Sequence, residues 1–255
     1  MFTQRLSMVL AASALLLSSL PMVASATTVI PVDTSVMTSS FFQGTNRVRG
    51  YPEDNRRVLR ASNDGAGGLA FGETIYLGFT AFDFTTLSGQ VQATLTMQSV
   101  AGGFSLDASA SSPFLVSIHA VSANPFTQIT DDTNPAGPIS WSSFYSNNIL
   151  PSVPAARTLV SGFGAVSFDV SSVVNDWRSG SNNIYALAVT GLDDTSSADF
   201  LHGFLNDSET LGSTFLTVTA VPEPSAVVLM MLGGTVLVVA RRRSSLREPT
   251  SSAAH

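Results

Sequence analysis

The sequence predicts an all-β protein: an antiparallel β-sandwich of the jelly-roll kind with one short helix, placed between an N-terminal signal peptide and a single C-terminal transmembrane helix. Short apolar segments alternate with polar residues at a period of two, which is typical of half-buried strands. Clusters of Gly, Asn, Asp and Pro separate these segments, and no long segment has a helical period. Many short strands without long helices favour two packed antiparallel sheets.

The clearest strand is predicted at residues 91–100, where Val91, Ala93, Leu95 and Met97 share one face and polar side chains the other. Other segments rich in β-branched and aromatic residues predict further strands at 74–84, 114–121, 165–170, 184–190 and 214–220.

One short helix is predicted at residues 171–178. Four apolar side chains lie there at positions i, i+3, i+4 and i+7: Val170, Val173, Val174 and Trp177. Ser171 or Ser172 is expected to cap its start, and Gly180 to end it. The helix should close one end of the sandwich, with Trp177 in the core.

The composition excludes several classes of protein. The 255 residues contain no cysteine, so disulfides and thiolate metal sites are absent. All 12 basic residues are arginines and the net charge is −6, which argues against a nucleic-acid partner.

The first 26 residues have the three parts of a signal peptide. Arg5 is followed by an apolar stretch at residues 8–17 and by a small-residue cleavage site formed by Ala24 and Ala26. An uncleaved N-terminal anchor is the alternative. Cleavage there predicts export of a body, Thr27–Val221, whose 16 acids and 7 arginines give a net charge of 7 − 16 = −9.

Residues 222–245 form a second signal. Pro222, Glu223 and Pro224 precede an apolar segment at 225–240, and Arg241, Arg242 and Arg243 follow it. As a helix, residues 226–240 reach about 22 Å, against a bilayer core of about 30 Å. The segment therefore spans a membrane only marginally, by thinning the bilayer or by snorkelling of its flanking residues. The arginines should stay cytoplasmic, which places the body across the inner membrane.

This order of parts resembles the PEP-CTERM sorting signal of Gram-negative bacteria that make exopolysaccharide. The resemblance implies that an exosortase, a membrane cysteine protease, processes the chain, which is anchored transiently in the inner membrane and then reaches the cell surface or the exterior. The tail at residues 246–255 is longer than that signal usually carries, and an ordinary C-terminal anchor is the alternative.

The body resembles, in outline, the DNRLRE-type domain, a relative of the family 96 carbohydrate-binding modules. The order of parts carries this resemblance: the strand, turn and strand within residues 58–98, the segment Trp141 to Asn147, and the strand, Asp-Trp helix and strand within 165–190. It implies a β-sandwich and contact with extracellular polysaccharide, as in a biofilm matrix.

Residues 46–60 hold five of the body's arginines and one tyrosine: Arg47, Arg49, Tyr51, Arg56, Arg57 and Arg60. Guanidinium groups bind carboxylates in a bidentate manner, so the cluster is a candidate site for a uronic-acid polysaccharide, with Tyr51 stacking on a sugar ring. Alternatively, the arginines pair with the body's own acids.

A second candidate site is the loop with Asp193, Asp194 and Asp199, whose carboxylates suit a structural Ca²⁺. Solvated loop charge is the alternative.

Enzyme signatures are sparse. His119 and His202 are the histidines of the body; His119 is expected on a strand among apolar residues, and no motif with zinc or nucleophile spacing occurs. We therefore expect a non-catalytic protein. A purely structural or adhesive matrix protein without a saccharide site, and a polysaccharide-cleaving enzyme, are the alternatives.

Overall fold

The computed structural model describes residues 26–39, 58–64, 73–103, 105–128, 141–149, 151–194, 196, 198–205 and 212–221. The predicted membrane helix and arginine cluster, and nearly all of the predicted signal peptide, lie outside these ranges. Thr27–Val221 forms one compact unit. Within the described ranges, no helix has the length and apolar character needed to cross a membrane.

Eleven strands in the described residues form two antiparallel sheets. They are β1 (Thr27–Pro31), β2 (Thr34–Ser39), β3 (Val58–Asp64), β4 (Glu73–Gly78), β5 (Val91–Val100), β6 (Phe114–Ala120), β7 (Ala156–Val160), β8 (Gly164–Asp169), β9 (Ala186–Thr190), β10 (Asp199–Leu205) and β11 (Thr214–Ala220). Sheet A has the order β1-β11-β5-β10-β3, with β8 also paired to β5. Sheet B has the order β2-β4-β9-β6-β7.

The main core lies between the two sheets and confirms the predicted β-sandwich at the level of an all-β, two-sheet fold. Leu95 and Met97 of β5 point inward together with Leu216 of β11, and all three are buried. From sheet B, Val116 and Val189 reach the same core. The alternation predicted for residues 91–100 is therefore confirmed.

The described residues contain two helices besides the predicted one: α1 (Pro125–Gln128) and α2 (Trp141–Asn148). The predicted helix is α3 (Ser171–Ser179), and a 3-10 turn lies at Phe84–Thr86. The expectation of one helix is thus wrong. Helix α2 forms a second apolar cluster, in which its Phe144 and Tyr145 pack on Tyr76, Ala186 and Ala188. Because those strand residues face away from the main core, α2 covers the outer face of sheet B.

Helix α3 confirms the predicted helix at residues 171–178. Trp177 is fully buried, with its ring centroid 4.8 Å from that of Phe84. Gly180 ends the helix in the left-handed conformation at φ 74°, which suits glycine. The predicted serine cap is wrong, because Val170 is the N-cap residue and makes no side-chain cap.

The strand predicted at residues 74–84 ends early, at Gly78. The carboxylate of Asp33 accepts hydrogen bonds from the Thr80 hydroxyl and the Ala81 amide, which turns the chain out of the sheet. A side chain at Gly78 would lie 2.8 Å from the ring of Phe126, so glycine is needed where α1 approaches the strand. Phe79 and Phe84 are core residues beyond the strand end.

Candidate functional site

Arg60 is the one member of the predicted arginine site that lies within the described residues. Its guanidinium donates a hydrogen bond from Nη2 to Oε1 of Glu73 at 2.8 Å, and its Nε lies 2.7 Å from Oε2 in the same ion pair. The backbone amide of Glu73 donates to the Ser62 hydroxyl at 2.6 Å. Arg60 thus neutralises the carboxylate of Glu73, a residue that is 1% exposed. This is the alternative in which an arginine of the cluster pairs with one of the body's own acids.

The other five residues of that candidate site lie outside the described residues: Arg47, Arg49, Tyr51, Arg56 and Arg57. Their proposed contact with an anionic glycan stays a prediction.

A hydrogen-bonded chain connects Ser152, His119 and Asp193. His119 lies in β6 and is 1% exposed. Its Nε2 is 2.8 Å from Oδ2 of Asp193, and its Nδ1 is 3.1 Å from Oγ of Ser152. Strand β6, the loop after β9 and the segment after α2 meet at this imidazole, so the chain links three separate elements.

The electrostatics of this chain favour a charged Asp193. The hydrogen bond from His119 holds the pKa of Asp193 below its ordinary range, against the effect of burial. The nearby Tyr145 of α2 stays protonated, because burial raises its pKa to about 12.

The connectivity resembles that of a serine–histidine–carboxylate relay, but the serine hydroxyl has a second partner. The Ser152 hydroxyl donates to the carbonyl oxygen of Ile149 at 2.7 Å, and its amide donates to the same oxygen at 2.9 Å. A nucleophilic serine donates to the imidazole instead. The arrangement therefore fits a structural junction at which His119, Ser152 and Asp193 hold three elements together.

The carboxylates predicted to bind calcium have separate partners. Asp194 accepts from the backbone amides of Leu115 at 2.7 Å and Ser196 at 2.8 Å. Asp199 begins β10 and is exposed. In the described part of the chain, no three metal-ligating side chains come together. These residues alone do not assemble a calcium site. The binding of Ca²⁺ therefore stays a prediction.

His202 of β10 is the second buried histidine. Its Nδ1 accepts from the Ala108 amide at 3.2 Å, and its Nε2 is 2.5 Å from the Ser99 hydroxyl, which itself donates to the Gly162 carbonyl. An Nδ1 that accepts carries no proton, so the ring is neutral. Burial lowers the pKa of His202, and the nearby Asp107 carboxylate opposes this only in part.

Two surface depressions lie near these histidines. A cleft of about 240 Å³ is lined by residues that include Ser122, Asn148, Ser152 and Asn182. A groove of about 380 Å³ follows the hairpin from Thr158 to Ser167. The hairpin's Phe163 is 62% exposed and stacks on His202, with ring centroids 5.8 Å apart.

Sequence reasoning missed the pairing of His119 with Asp193. The two residues are 74 positions apart, so no local spacing reports their contact. The one available signal was a histidine at a strand position among apolar residues.

Comparison of the chain with protein-family models and with curated proteins finds no match.

We predict that Asp193→Ala lowers the free energy of unfolding by about 1–3 kcal/mol, because it leaves a buried imidazole N–H without its acceptor. Asp199→Ala is the matched control, with an expected change within about 0.5 kcal/mol since the side chain is exposed. Urea titrations of both variants measure the difference. Equal losses, together with stabilisation of the wild type by added Ca²⁺, would contradict the junction and favour a metal site.

We predict that the fold loses stability as the pH falls below about 6.5, the ordinary pKa of histidine. The folded-state pKa of His202 is lowered, so the unfolded chain binds more protons between the two pKa values. The free energy of unfolding should decrease there with a slope approaching about 1.4 kcal/mol per pH unit. His202→Gln keeps a donor and an acceptor but does not titrate, and urea titrations from pH 8 to 5 should show a shallower slope. Parallel curves for the two proteins would refute the assignment.

Proposed function

We propose that this chain is an exported, non-catalytic surface or matrix protein, sorted by an exosortase and in contact with extracellular polysaccharide. The observation that carries the proposal is the ordered signal at residues 222–245: Pro222, Glu223 and Pro224, an apolar segment, and the three arginines that follow it. The signal peptide at the other end of the chain supplies the export step.

The limits of the folded unit support this proposal. The compact unit begins at Thr27, directly after the predicted cleavage site at Ala26, and ends at Val221, directly before Pro222. The Val221 amide still donates to the Gln90 carbonyl at 2.8 Å, so the fold holds the chain up to the sorting motif. All described strands lie between these limits, so loss of both signals would leave the two sheets complete.

The charge of the body supports an extracellular role for the arginine-rich segment. Five of the seven body arginines lie within residues 46–60, in a body of net charge 7 − 16 = −9. Such a concentration of guanidinium groups attracts carboxylates and suits uronic-acid polysaccharide. Arg60 holds Glu73, so the remaining arginines carry this contact.

We predict that sorting depends on the proline motif. In an exosortase-containing Gram-negative host, the wild-type chain should appear at the cell surface or in the medium, whereas Pro222→Ala/Pro224→Ala should stay in the membrane fraction. Pro151→Ala/Pro154→Ala, in a described loop of the body, is the matched control and should be sorted normally. Fractionation and immunoblotting measure this. Normal sorting of the motif variant, or of the wild type in a strain without exosortase, would refute the assigned route.

We predict that the body, Thr27–Val221, is retarded in affinity gels that contain alginate. Arg56→Ala/Arg57→Ala should raise the dissociation constant by about tenfold or more, because charge-assisted hydrogen bonds are lost. Arg157→Ala/Arg178→Ala removes the same charge elsewhere and should leave the retardation unchanged.

Free migration of the wild-type body in every polysaccharide gel would favour the structural or adhesive protein. Release of reducing ends or unsaturated uronate by the purified body would identify a polysaccharide-cleaving enzyme instead.

A further inference from the structure

We propose that the outer face of strands β1, β11, β5 and β8 in sheet A is a second polysaccharide site, a platform for a neutral glycan chain. It rests on the proposed contact with extracellular polysaccharide, but it uses residues remote in sequence from the arginine-rich segment. Four neighbouring strands place uncharged hydroxyl and amide side chains on one face, and no described element covers that face.

The two sheets differ in what covers their outer faces. Strands β4 and β9 of sheet B are buried at every position, because the core covers one face and α2 packs on the other. In β5 of sheet A, buried residues alternate with exposed or half-buried ones along the whole strand. Strand β11 follows the same alternation. The outward side of β5 and β11 is therefore accessible to solvent, whereas β10 of the same sheet is buried at all positions except its two ends.

The open face is mostly polar and uncharged, with Val29 of β1 as an exposed apolar residue. Strands β1, β11, β5 and β8 lie side by side, and most of their outward side chains are hydroxyls or amides. Six of them form the centre of the face: Gln92, Thr94, Thr96, Ser167, Thr217 and Thr219. In the register, Thr94 lies opposite Thr217, and Thr96 lies between Ser167 and Phe215.

The spacing of this array suits a chain of sugar rings. Outward residues repeat about 6.7 Å apart along a strand, and neighbouring strands lie about 4.8 Å apart. Hydroxyl and amide groups donate and accept hydrogen bonds, as sugar hydroxyls do. The half-buried ring of Phe215 lies among them and offers an apolar face to the C–H side of a sugar.

The scarcity of charged side chains among the described residues of this face favours a neutral glycan over an anionic one. Among the outward residues of these four strands, Asp169 alone is ionisable, and it lies at the end of β8. Its carboxylate accepts from the amide and the hydroxyl of Ser171, at 3.0 and 2.6 Å. The described outward residues of these strands include no cation, and the body has a net charge of −9. A polyuronate therefore finds no partner among them, whereas an uncharged chain meets no repulsion.

Only some polar groups of the face are hydrogen-bonded to other described residues. Thr96 lies 3.5 Å from Ser167, Thr27 lies 3.2 Å from Thr219, and Gln98 Nε2 donates to the Ser99 carbonyl at 3.5 Å. The hydroxyls of Thr94 and Thr217 make no side-chain hydrogen bond among the described residues. Threonine favours strands in any case, but glutamine does not, and Gln92 and Gln98 share this face.

The test compares gels that contain a neutral β-glucan, alginate or no polymer, with the full chain in detergent and with Thr27–Val221. Thr94→Val/Thr217→Val removes two hydroxyls and keeps the β-branched shape. Thr34→Val/Thr127→Val, on β2 and α1, is the matched control. We expect the neutral gel to retard the wild type and the control equally. The face variant should bind about tenfold more weakly in this gel and be unchanged in alginate.

If the neutral glucan retards the face variant as strongly as the wild type, this inference is overturned. Retardation in alginate alone, abolished by Arg56→Ala/Arg57→Ala, would also overturn it while leaving the proposed function intact. Free migration in all gels would overturn both. Circular dichroism of each variant verifies that a loss of binding is not a loss of fold.

Discussion

The burial of both faces of β4 and β9 in sheet B is the constraint on which the rest of the structure depends. A sheet in a two-layer sandwich ordinarily keeps one face in water, where polar side chains need no protein partner. Here α2 removes that water, and polar groups on the outer face must find partners inside the protein. The Thr38 hydroxyl donates to the Thr74 carbonyl at 3.4 Å, and His119 binds Asp193 and Ser152. The loop after β9 and the segment after α2 are thereby held against the sheet.

Much of the sandwich could be predicted because its strands alternate. Strands β5, β6 and β11 lie within a residue of their expected limits, since each has one apolar face. Helix α2 was missed, although Trp141, Phe144 and Tyr145 have helical spacing, because the segment is short and rich in Ser and Asn. The early end of β4 was missed for a different reason: Phe79 and Phe84 continue the apolar pattern, and the turn depends on Asp33, a distant residue.

The sites were less accessible to sequence reasoning than the fold. The sequence shows a cluster of arginines and a loop rich in aspartate, but it does not show which residue each of these side chains contacts. Arg60 lies in a cluster that suggests an external ligand, yet its partner is Glu73 on the next strand along the chain. Asp193 lies in a loop that suggests a cation, yet its partner is a histidine on β6. In both cases sheet pairing and loop packing, rather than local spacing, decide the contact.

The pairing of β1 with β11 bears on when the chain can fold. Thr27 pairs with Thr219, across a separation of 192 residues, and β11 is the one strand partner of β1 in the described structure. Contacts between such distant parts of a chain form slowly, because a long loop must close first. Strand β1 can therefore pair only when β11 is present. Sheet A is completed only after the chain is available as far as Ala220. Under the proposed export route, sheet A would be completed only when translocation is nearly finished.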